Sequence, residues 1–585
     1  MARTRARGYV PFPRAVPEED QTLRKRCDGR VLGMRTNRYS WWTHWRELAD
    51  YILPRRYRWL ITPNMQSRGS PLNGHILDST GTLAARNLAS GMMHGVTDPA
   101  KPWFKLKVGR NDSSKTTPTS LWLAECERLL MLIFHESNFY NSVAVLYFDL
   151  VVFGTASMLI YEDYENVVHC VNPCLGEFYL ANDDKNNPAV FAREFTYTVE
   201  QTVQEFGLEN CSNDVQAAYT GGDSSALSRE IVIAHLIEPN PDGKYGFSKD
   251  FKYREMYWQW GGSASPQGGS SFAQGFLRKK GYFEAPHIPV RWDTVANDAY
   301  GRSPGMDGLP DIKQLQLEVR RKAQAIDKLV NPPMVADIQL KNQPASLLPG
   351  GVTYVSGMMS QSKPGFAPVY TVNPPVKEIM EDLNEVRQRI KDIFFNPLFQ
   401  TISQFETRSN VSATEIDARK AESMVMLGPV LGRVHTELHD RVITRVFGMA
   451  SRAGIFPPAP EEIQDKPITI EYISMLATAQ AAAQTAGIER IFAVAGNLAG
   501  IDPAIVDNVD LDFGLDKMSE LLNNDPRLIR SPDQLQAIRG ARQQQQMQQQ
   551  RAEQAEKLAQ SAKVLSETDV GGGQNALAQM TGITP

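Results

Sequence analysis

Two strongly helical stretches bracket a segment rich in proline, glycine and serine, and this arrangement limits the possible folds more than any other feature. The first stretch, at 311–330, is followed by Pro332 and Pro333, which cannot continue a helix. The second lies at 376–395. With a rise of about 1.5 Å per residue, the first would be about 30 Å long. We therefore expect two helices of similar length separated by a compact insertion at 331–375.

Length and composition describe a large globular chain. At 585 residues it exceeds what one ordinary core supports, so several domains are expected. Its apolar content of 42% and charged content of 22% lie near the globular average. The net charge of −4 argues against a dedicated high-affinity nucleic-acid binder, which is usually basic, but it allows a protein past which DNA slides.

The chain contains five cysteines, an odd number, and they are widely scattered along the sequence. This distribution is typical of reduced thiols in a cytosolic setting. Only Cys170 and Cys174 are close together, with His169 beside them. Because no second ligand pair occurs at zinc-site spacing, we expect structural thiols rather than a metal site.

The N-terminal residues 1–23 are expected to form a flexible basic arm. They lack the apolar region of a secretory signal. Two interpretations remain open: Arg3, Arg5 and Arg7 could meet an acidic partner, or the segment could be a solvated tail, and the tail is favoured.

One apolar window, at 142–161, has the length of a membrane span. Asp149 would lie near the middle of the bilayer, at a cost of about 2.5–3.5 kcal/mol. Gly154 and Thr155 also divide the window into a helix-like part and a β-rich part. We therefore predict a buried helix followed by a strand, and no membrane partner.

The segment 78–104 combines small residues with a sharp end. Small and apolar residues recur at helical spacing: Gly81, Ala84, Ala85, Leu88, Gly91, Met92 and Gly95. Pro99 and Pro102 then stop the helix, and an extended segment follows. The pattern predicts either a helix that lets a neighbour approach closely or an ordinary core helix, and local sequence does not separate the two.

The pair His435 and His439 is the motif that most resembles a metal site. Two histidines at i and i+4 share a helix face, as zinc requires. Glu437, however, does not follow the first histidine directly, as it does in metalloproteases, and no third ligand is apparent. We therefore expect a surface pair on a helix rather than a catalytic metal.

Other catalytic signatures are missing from the sequence. The acidic segment 507–517 fails the spacing of a calcium-binding loop. The chain contains neither a G-x-x-x-x-G-K-[ST] phosphate loop nor a G-x-S-x-G nucleophile elbow. We therefore expect no enzyme and no cofactor.

Four segments in a fixed order carry a family resemblance. They are DSTGTLAARNLASGMM with PWF, DLVVFGTASMLI, AYGRSPGMDGLPDIKQLQ with NPP, and NVSATEIDARKAESMVMLGPVLGRV. Over about residues 24–539, the chain resembles the head-to-tail connector, or portal, proteins of short-tailed double-stranded DNA bacteriophages.

The resemblance implies a function in the virion. Such proteins form rings of about twelve copies at one capsid vertex, after assembly in the host cytoplasm. Double-stranded DNA passes through the central channel, the terminase motor docks there, and tail adaptor proteins later replace the motor. Capsid and scaffold proteins are further implied partners.

The resemblance also implies an α+β portal fold with named regions. These are a basic arm (1–23), a mixed α/β wing (24–310), a first stem helix (311–330), a clip (331–375), a second stem helix (376–395), a channel loop (396–411), a second wing part (412–487), a helical crown (488–540) and a glutamine-rich barrel helix with a loose tail (541–585).

Candidate site residues follow by analogy. The implied channel residues are Lys391, Phe399, Gln400, Gln404 and Arg408. The implied clip residues that contact motor and tail are Lys341, Asn342 and Gln343. The mixed charges of the stem helices are expected mainly on solvated faces and in pairs between subunits, while Lys391 and Arg408 would meet phosphates transiently.

Two other classes of protein remain open. One is a nucleic-acid packaging enzyme, an ATPase or nuclease, against which the missing phosphate loop argues. The other is a different virion structural protein, such as a scaffold or a tail adaptor. Enzyme assays with magnesium would test the first, and the size of the assembly would test the second.

Overall fold

The computed structural model describes most of the chain. The described residues are 17–61, 69, 73–108, 118–221, 223–260, 275–332, 334–336, 366–368, 375–397, 428–461, 468–473, 475–499, 509–521, 530 and 532–567. The chain divides into two compact units, one of residues 1–104, 129–456 and 472–479, the other of residues 105–128, 457–471 and 480–585. Helices and antiparallel sheets are both present, so the expected α+β class is confirmed.

The helices occur in the following order. They are α1 (Glu18–Tyr51), α2 (Pro54–Ile61), α3 (Thr80–Val96), α4 (Pro118–Glu136), α5 (Phe139–Phe153), α6 (Val199–Phe206), α7 (Asn213–Thr220), α8 (Ser224–Leu227), α9 (Pro304–Val330), α10 (Val376–Ile393), α11 (Gly428–Val434), α12 (Asp440–Arg452), α13 (Met475–Ala499), α14 (Leu511–Leu521) and α15 (Pro532–Glu567). A π-helical turn, His435–His439, joins α11 to α12.

The strands are mostly short. They are β1 (Phe104–Val108), β2 (Thr155–Asp163), β3 (Val167–Val171), β4 (Phe178–Asn182), β5 (Pro188–Thr198), β6 (Glu230–Pro239), β7 (Tyr253–Gln259), β8 (Arg278–Tyr282), β9 (His287–Arg291), β10 (Met334–Ala336), β11 (Phe366–Pro368) and β12 (Ile468–Tyr472). They form sheets in the orders β4-β5-β6-β7-β8, β3-β2-β9, β10-β11 and β1-β12.

A five-stranded antiparallel sheet forms one core of the first unit. The turn-rich segment DDKNNP between two β-like runs predicts a hairpin. The strands β4 and β5 on either side of it form this hairpin, with Leu180 paired to Phe191. The helix α1 covers one face of the sheet, with Leu23, Cys27 and Val31 completely or almost completely buried. The spacing of four residues keeps these side chains on one stripe of the helix.

The long helix α1 departs from the prediction. Residues 18–23 of the expected arm lie inside this helix, so that part of the prediction is wrong. The segment is polar enough to look like a tail, because its apolar positions make only a narrow stripe. Burial of that stripe against the sheet stabilises a helix that local sequence alone does not indicate.

The apolar window at 142–161 forms the predicted buried helix and strand. Helix α5 ends at Gly154, which has the left-handed φ of 75°, and β2 begins at Thr155. The carboxylate of Asp149 is buried and accepts hydrogen bonds from Arg56 at 2.8 and 3.0 Å. Among the described residues, no helix has the length and apolar character needed to span a bilayer.

The small-residue helix α3 packs against α5, α9 and α10. Gly81 lies so close to α9 that a Cβ atom there would be 2.8 Å from Cδ1 of Ile312. The predicted close approach of a neighbouring element is therefore confirmed at this end of α3, where the neighbour is α9. Farther along, Ala84, Ala85 and Leu88 are buried as in an ordinary core helix.

The two long helices form as expected, although two of their boundaries differ. Helix α9 begins at Pro304 rather than at residue 311, because the Ser303 hydroxyl accepts a hydrogen bond from the Met306 amide and caps the helix. Pro310 therefore lies inside the helix instead of before it. Helix α10 ends at Ile393, two residues before the predicted end.

Candidate functional site

Two glycines contact each other just before the start of α9. Gly154 ends α5, and a Cβ atom on it would lie 2.8 Å from the carbonyl carbon of Gly301. A Cβ atom on Gly301 would in turn overlap the carbonyl oxygen of Gly154. Only glycine fits at either position without movement of the backbone.

Hydrogen bonds then fix the first turn of α9 to α5 and β2. The Ser303 hydroxyl donates to the Val152 carbonyl at 2.8 Å. The Gly301 amide donates to the Thr155 hydroxyl at 2.8 Å. Gly305 also lies against Val152, and the space between them is too small for a Cβ atom on Gly305. The start of the first long helix is therefore held rigidly in the first unit.

One buried side chain joins the middle of α9 to the segment before α3. The amide oxygen of Gln316 accepts hydrogen bonds from the backbone amides of Leu77 at 2.7 Å and Asp78 at 3.0 Å. Its amide nitrogen donates to the Asp78 carbonyl at 2.7 Å. Gln316 thus satisfies three backbone groups near the N-terminus of α3.

The second long helix is tied to the same segment by an ion pair. Nε and Nη2 of Arg387 donate to one carboxylate oxygen of Asp78 at 3.0 and 2.8 Å. The Thr80 hydroxyl donates to the other oxygen at 2.5 Å. Burial would raise the pKa of Asp78, but the hydrogen bonds from Thr80 and Arg387 outweigh it and hold the pKa below its usual value.

The two long helices pack against each other as an antiparallel pair, which we call the stem hairpin (α9 with α10). The fully or nearly fully buried Leu383, Val386 and Ile390 lie on the inner side of α10. Arg389 reaches across from α10 to Gln314, at 3.4 Å, and to Asp311, at 3.6 Å. Several charges that could have paired between subunits therefore pair within the chain.

The predicted channel and clip residues are only partly covered by the structure. Lys391 lies in the last turn of α10 with a half-buried side chain. The remaining candidates lie outside the described residues: Phe399, Gln400, Gln404, Arg408, Lys341, Asn342 and Gln343. Their roles remain predictions.

The prediction of a surface pair of histidines is wrong, because the side chains of His435 and His439 both turn toward the protein interior. The Nδ1 atoms of His435 and His439 lie 3.0 Å apart, so that one donates to the other. Nε2 of the fully buried His439 lies 2.9 Å from the Thr97 hydroxyl. Burial lowers the pKa of His435 to about 4 and that of His439 well below its usual value. Both ring nitrogens of His439 are occupied by protein partners.

Glu437 has no part in that pair. Its carboxylate accepts hydrogen bonds from the Arg291 side chain at 2.5 and 3.1 Å and from the Arg291 amide at 2.9 Å. It therefore fixes the π-helical turn to β9. Within the part of the chain that the structure describes, no three histidine, cysteine or carboxylate groups are placed to hold a metal ion. The five cysteines are buried and unpaired, as expected of structural thiols.

A second buried polar group was not predicted from the sequence. Nε of Arg193 donates to Nδ1 of His235 at 3.0 Å, and Nε2 of His235 donates to Glu255 at 2.8 Å. The Tyr282 hydroxyl donates to the other oxygen of Glu255 at 2.8 Å. Each residue is an inward-facing strand position, and no short sequence pattern marks them. The group is fully satisfied, which is the condition for a structural network.

Comparison with known proteins gives the family of the chain. Residues 24–529 match the family model described as "Bacteriophage head to tail connecting protein". The chain is 37% identical over 562 residues to the "Probable portal protein" of Bordetella phage BPP-1, covering 96% of this chain and 98% of the relative. It is also 37% identical over 551 residues to the "Portal protein" of Salmonella phage epsilon15, covering 94% and 96%. The chain therefore belongs to the bacteriophage head-to-tail connecting proteins and has the function of a phage portal.

Proposed function

We propose that about twelve copies of this chain form a closed ring at one vertex of the capsid. The ring encloses a channel through which double-stranded DNA enters the head during packaging and leaves it during ejection. The terminase motor docks on the ring first, and tail adaptor proteins replace it later. The ring assembles in the host cytoplasm together with capsid and scaffold proteins.

The exposed C-terminal half of α9 is the observation that supports a ring. None of the residues 320–330 is buried within the chain. Ile326, Leu329 and Val330 are 38%, 47% and 78% exposed, respectively. A helix depends on packing of its apolar positions for most of its stability. We infer that a neighbouring copy of the chain covers these side chains.

The regions that the family resemblance implies complete the proposal. The stem hairpin forms the channel wall, and the segment 331–375 forms the clip, where Lys341, Asn342 and Gln343 meet the motor and the tail. The loop 396–411 reaches into the channel with Phe399, Gln400, Gln404 and Arg408, next to Lys391. Residues 488–540 supply the crown, and the glutamine-rich segment 541–585, which contains most of α15, supplies the barrel helix.

The net charge of the chain supports a channel that does not bind DNA tightly. Each phosphate neutralised by a fixed lysine or arginine strengthens non-specific binding through the release of counterions. The net charge of −4 is repeated in every copy of the ring. DNA is therefore not gripped along the whole channel and meets cations only at the few proposed positions.

A purified preparation tests the proposed function. Negative-stain images should show rings with a central hole, and light scattering should give a mass near twelve subunits. A packaging ATPase or nuclease would instead show turnover with magnesium and ATP or DNA. A scaffold or tail adaptor would lack the closed ring of this size. A monomer at high protein concentration would contradict the proposal.

A further inference from the structure

The outer face of α9 carries a basic stripe. It consists of five exposed residues at helical spacing, on the side opposite to the one that packs on α10: Leu317, Arg320, Arg321, Gln324 and Lys328. Asp327, seven residues after Arg320, is the acidic residue nearest to the stripe and lies at its edge. Arg320, Arg321 and Lys328 form no ion pair with any residue that the structure describes. The three cations of this stripe therefore have no acidic partner among the residues that the structure describes.

The outer face of α10 carries an acidic stripe. It consists of five exposed residues opposite the buried side of this helix: Glu378, Glu381, Glu385, Gln388 and Asp392. Glu385 lies 3.7 Å from Arg389 on the same helix. Within the described ranges, Glu378 and Glu381 have no cationic partner. The stem hairpin is thus positive on one flank and negative on the other.

The two stripes lie at the same height along the hairpin. Arg389 on α10 contacts Gln314 on α9, and Lys322 on α9 contacts Met380 on α10. Because the helices are antiparallel, these contacts fix their register. Arg321 then lies level with Glu381.

We propose that the ring closes through these flanks: the basic stripe of α9 in one copy contacts the acidic stripe of α10 in the next copy. This inference rests on the proposed function, because it names the surface by which the subunits of the ring recognise each other. The partner is a second copy of this chain, and the complementary charges at equal heights identify it. Arg320 and Arg321 meet Glu378, Glu381 and Glu385 of the neighbouring copy.

A contact of this kind leads to a ring by symmetry. The two flanks are different surfaces, so one flank cannot pair with itself. Head-to-tail contacts between unlike surfaces repeat around an axis and close when the rotation allows it. Like charges face each other when a copy is turned the wrong way, which disfavours other arrangements. In the competing arrangement, one stripe faces the channel and the other faces outward, and then neither contributes to assembly.

Two charge-reversed variants separate these arrangements. The first carries Arg320→Glu and Arg321→Glu, so both of its flanks are acidic. The second carries Glu378→Lys and Glu381→Lys, so both of its flanks are basic. Each variant alone should lose the ring in size-exclusion chromatography with light scattering. Mixed in equal amounts, they should form rings with alternating subunits, which native mass spectrometry resolves, because every flank then meets its opposite.

A matched control carries the same change in charge elsewhere. Lys185→Glu with Lys244→Glu alters two exposed lysines in loops beside the five-stranded sheet. This variant should form rings like the unchanged chain, alone and in the mixture. Circular dichroism verifies that all variants are folded. As a milder change, Arg320→Gln with Arg321→Gln should make ring stability less dependent on salt, since screening acts on exposed charges.

The outcomes distinguish the contact from the ring itself. If the unchanged chain forms no ring, the proposed function fails, and this contact fails with it. If the unchanged chain forms rings and both charge-reversed variants form equally stable rings alone, the ring stands and the contact is wrong. The contact is also wrong if folded variants fail to assemble on mixing.

Discussion

The backbones of Gly154 and Gly301 contact each other so closely that neither residue has space for a side chain. The first ends α5, and the second lies just before the capped start of α9. The Gly154 carbonyl also accepts a hydrogen bond from the Trp292 amide at 2.9 Å. These glycines belong to two of the sequence segments that carry the family resemblance, so the structure gives those segments a shared role. They anchor the stem hairpin.

The glycine contact predicts a large loss of stability for Gly154→Ala. Alanine would have to adopt a left-handed conformation and would also overlap the backbone at Gly301. We expect a loss of about 2–5 kcal/mol in the free energy of unfolding, measured by urea titration. Gly454→Ala is the control, because its φ of 70° is similar but nothing lies within 4 Å of the new Cβ atom. It should lose only about 1–2 kcal/mol, and equal losses would refute the close contact.

Gly81→Leu tests the close packing of α3 on α9. The new side chain would meet Ile312, which is fully buried and has no space to move into. We expect a loss of about 1–3 kcal/mol. Gly33→Leu, in α1, adds the same atoms where nothing lies within 4 Å and should be neutral or stabilising. The same melting temperature for both variants would show that Gly81 is not tightly packed.

The ion pair between Arg387 and Asp78 should stabilise the stem hairpin. Arg387→Ala leaves the Asp78 carboxylate with the Thr80 hydroxyl as its side-chain partner, and we expect a loss of about 1–3 kcal/mol. The loss should be much smaller when Asp78→Asn is already present, and additive losses would exclude the coupling.

The same pair gives a dependence on pH. The pKa of Asp78 in the folded protein is held below its usual value. The stabilisation is therefore present above the unfolded-state pKa of about 3.9 and lost as the pH falls through the folded-state value. The difference in stability between the unchanged chain and Asp78→Asn should shrink in acid, which urea titrations at several pH values would measure.

The buried histidines predict a loss of stability between neutral and mildly acidic pH. The pKa of His435 is lowered to about 4 by burial, and that of His439 lies well below its usual value. Below pH 6.5 the unfolded chain therefore binds protons that the folded chain does not. Each such histidine should lower the free energy of unfolding by up to about 1.4 kcal/mol per pH unit. His439→Gln should reduce this slope, and an unchanged slope between pH 7 and pH 5 would contradict the assignment.

Local signals predicted several elements well. Pro332 and Pro333 marked the end of α9, and the break at Gly154 separated a buried helix from a strand. The turn-rich segment before β5 indicated the hairpin. In each case, the residues that decide the structure are neighbours in sequence, and their conformational limits act without help from the rest of the chain.

Features that depend on distant residues could not be predicted. The inward turn of His435 and His439 requires Thr97, which lies far away in the chain, and the helical pattern alone suggested a surface. The anchoring role of Gln316 likewise depends on Asp78. The start of α9 was missed for a different reason: the prediction did not use Ser303 and Pro304, which form a capped start before Pro310.

Electron microscopy of the purified, unmodified chain tests the central claim most directly, which is that the stem hairpins of many copies enclose a channel. The account predicts closed rings of about twelve subunits, with a central hole lined by paired helices and wide enough for double-stranded DNA. Single subunits without a hole, or an open filament at the same protein concentration, would contradict it.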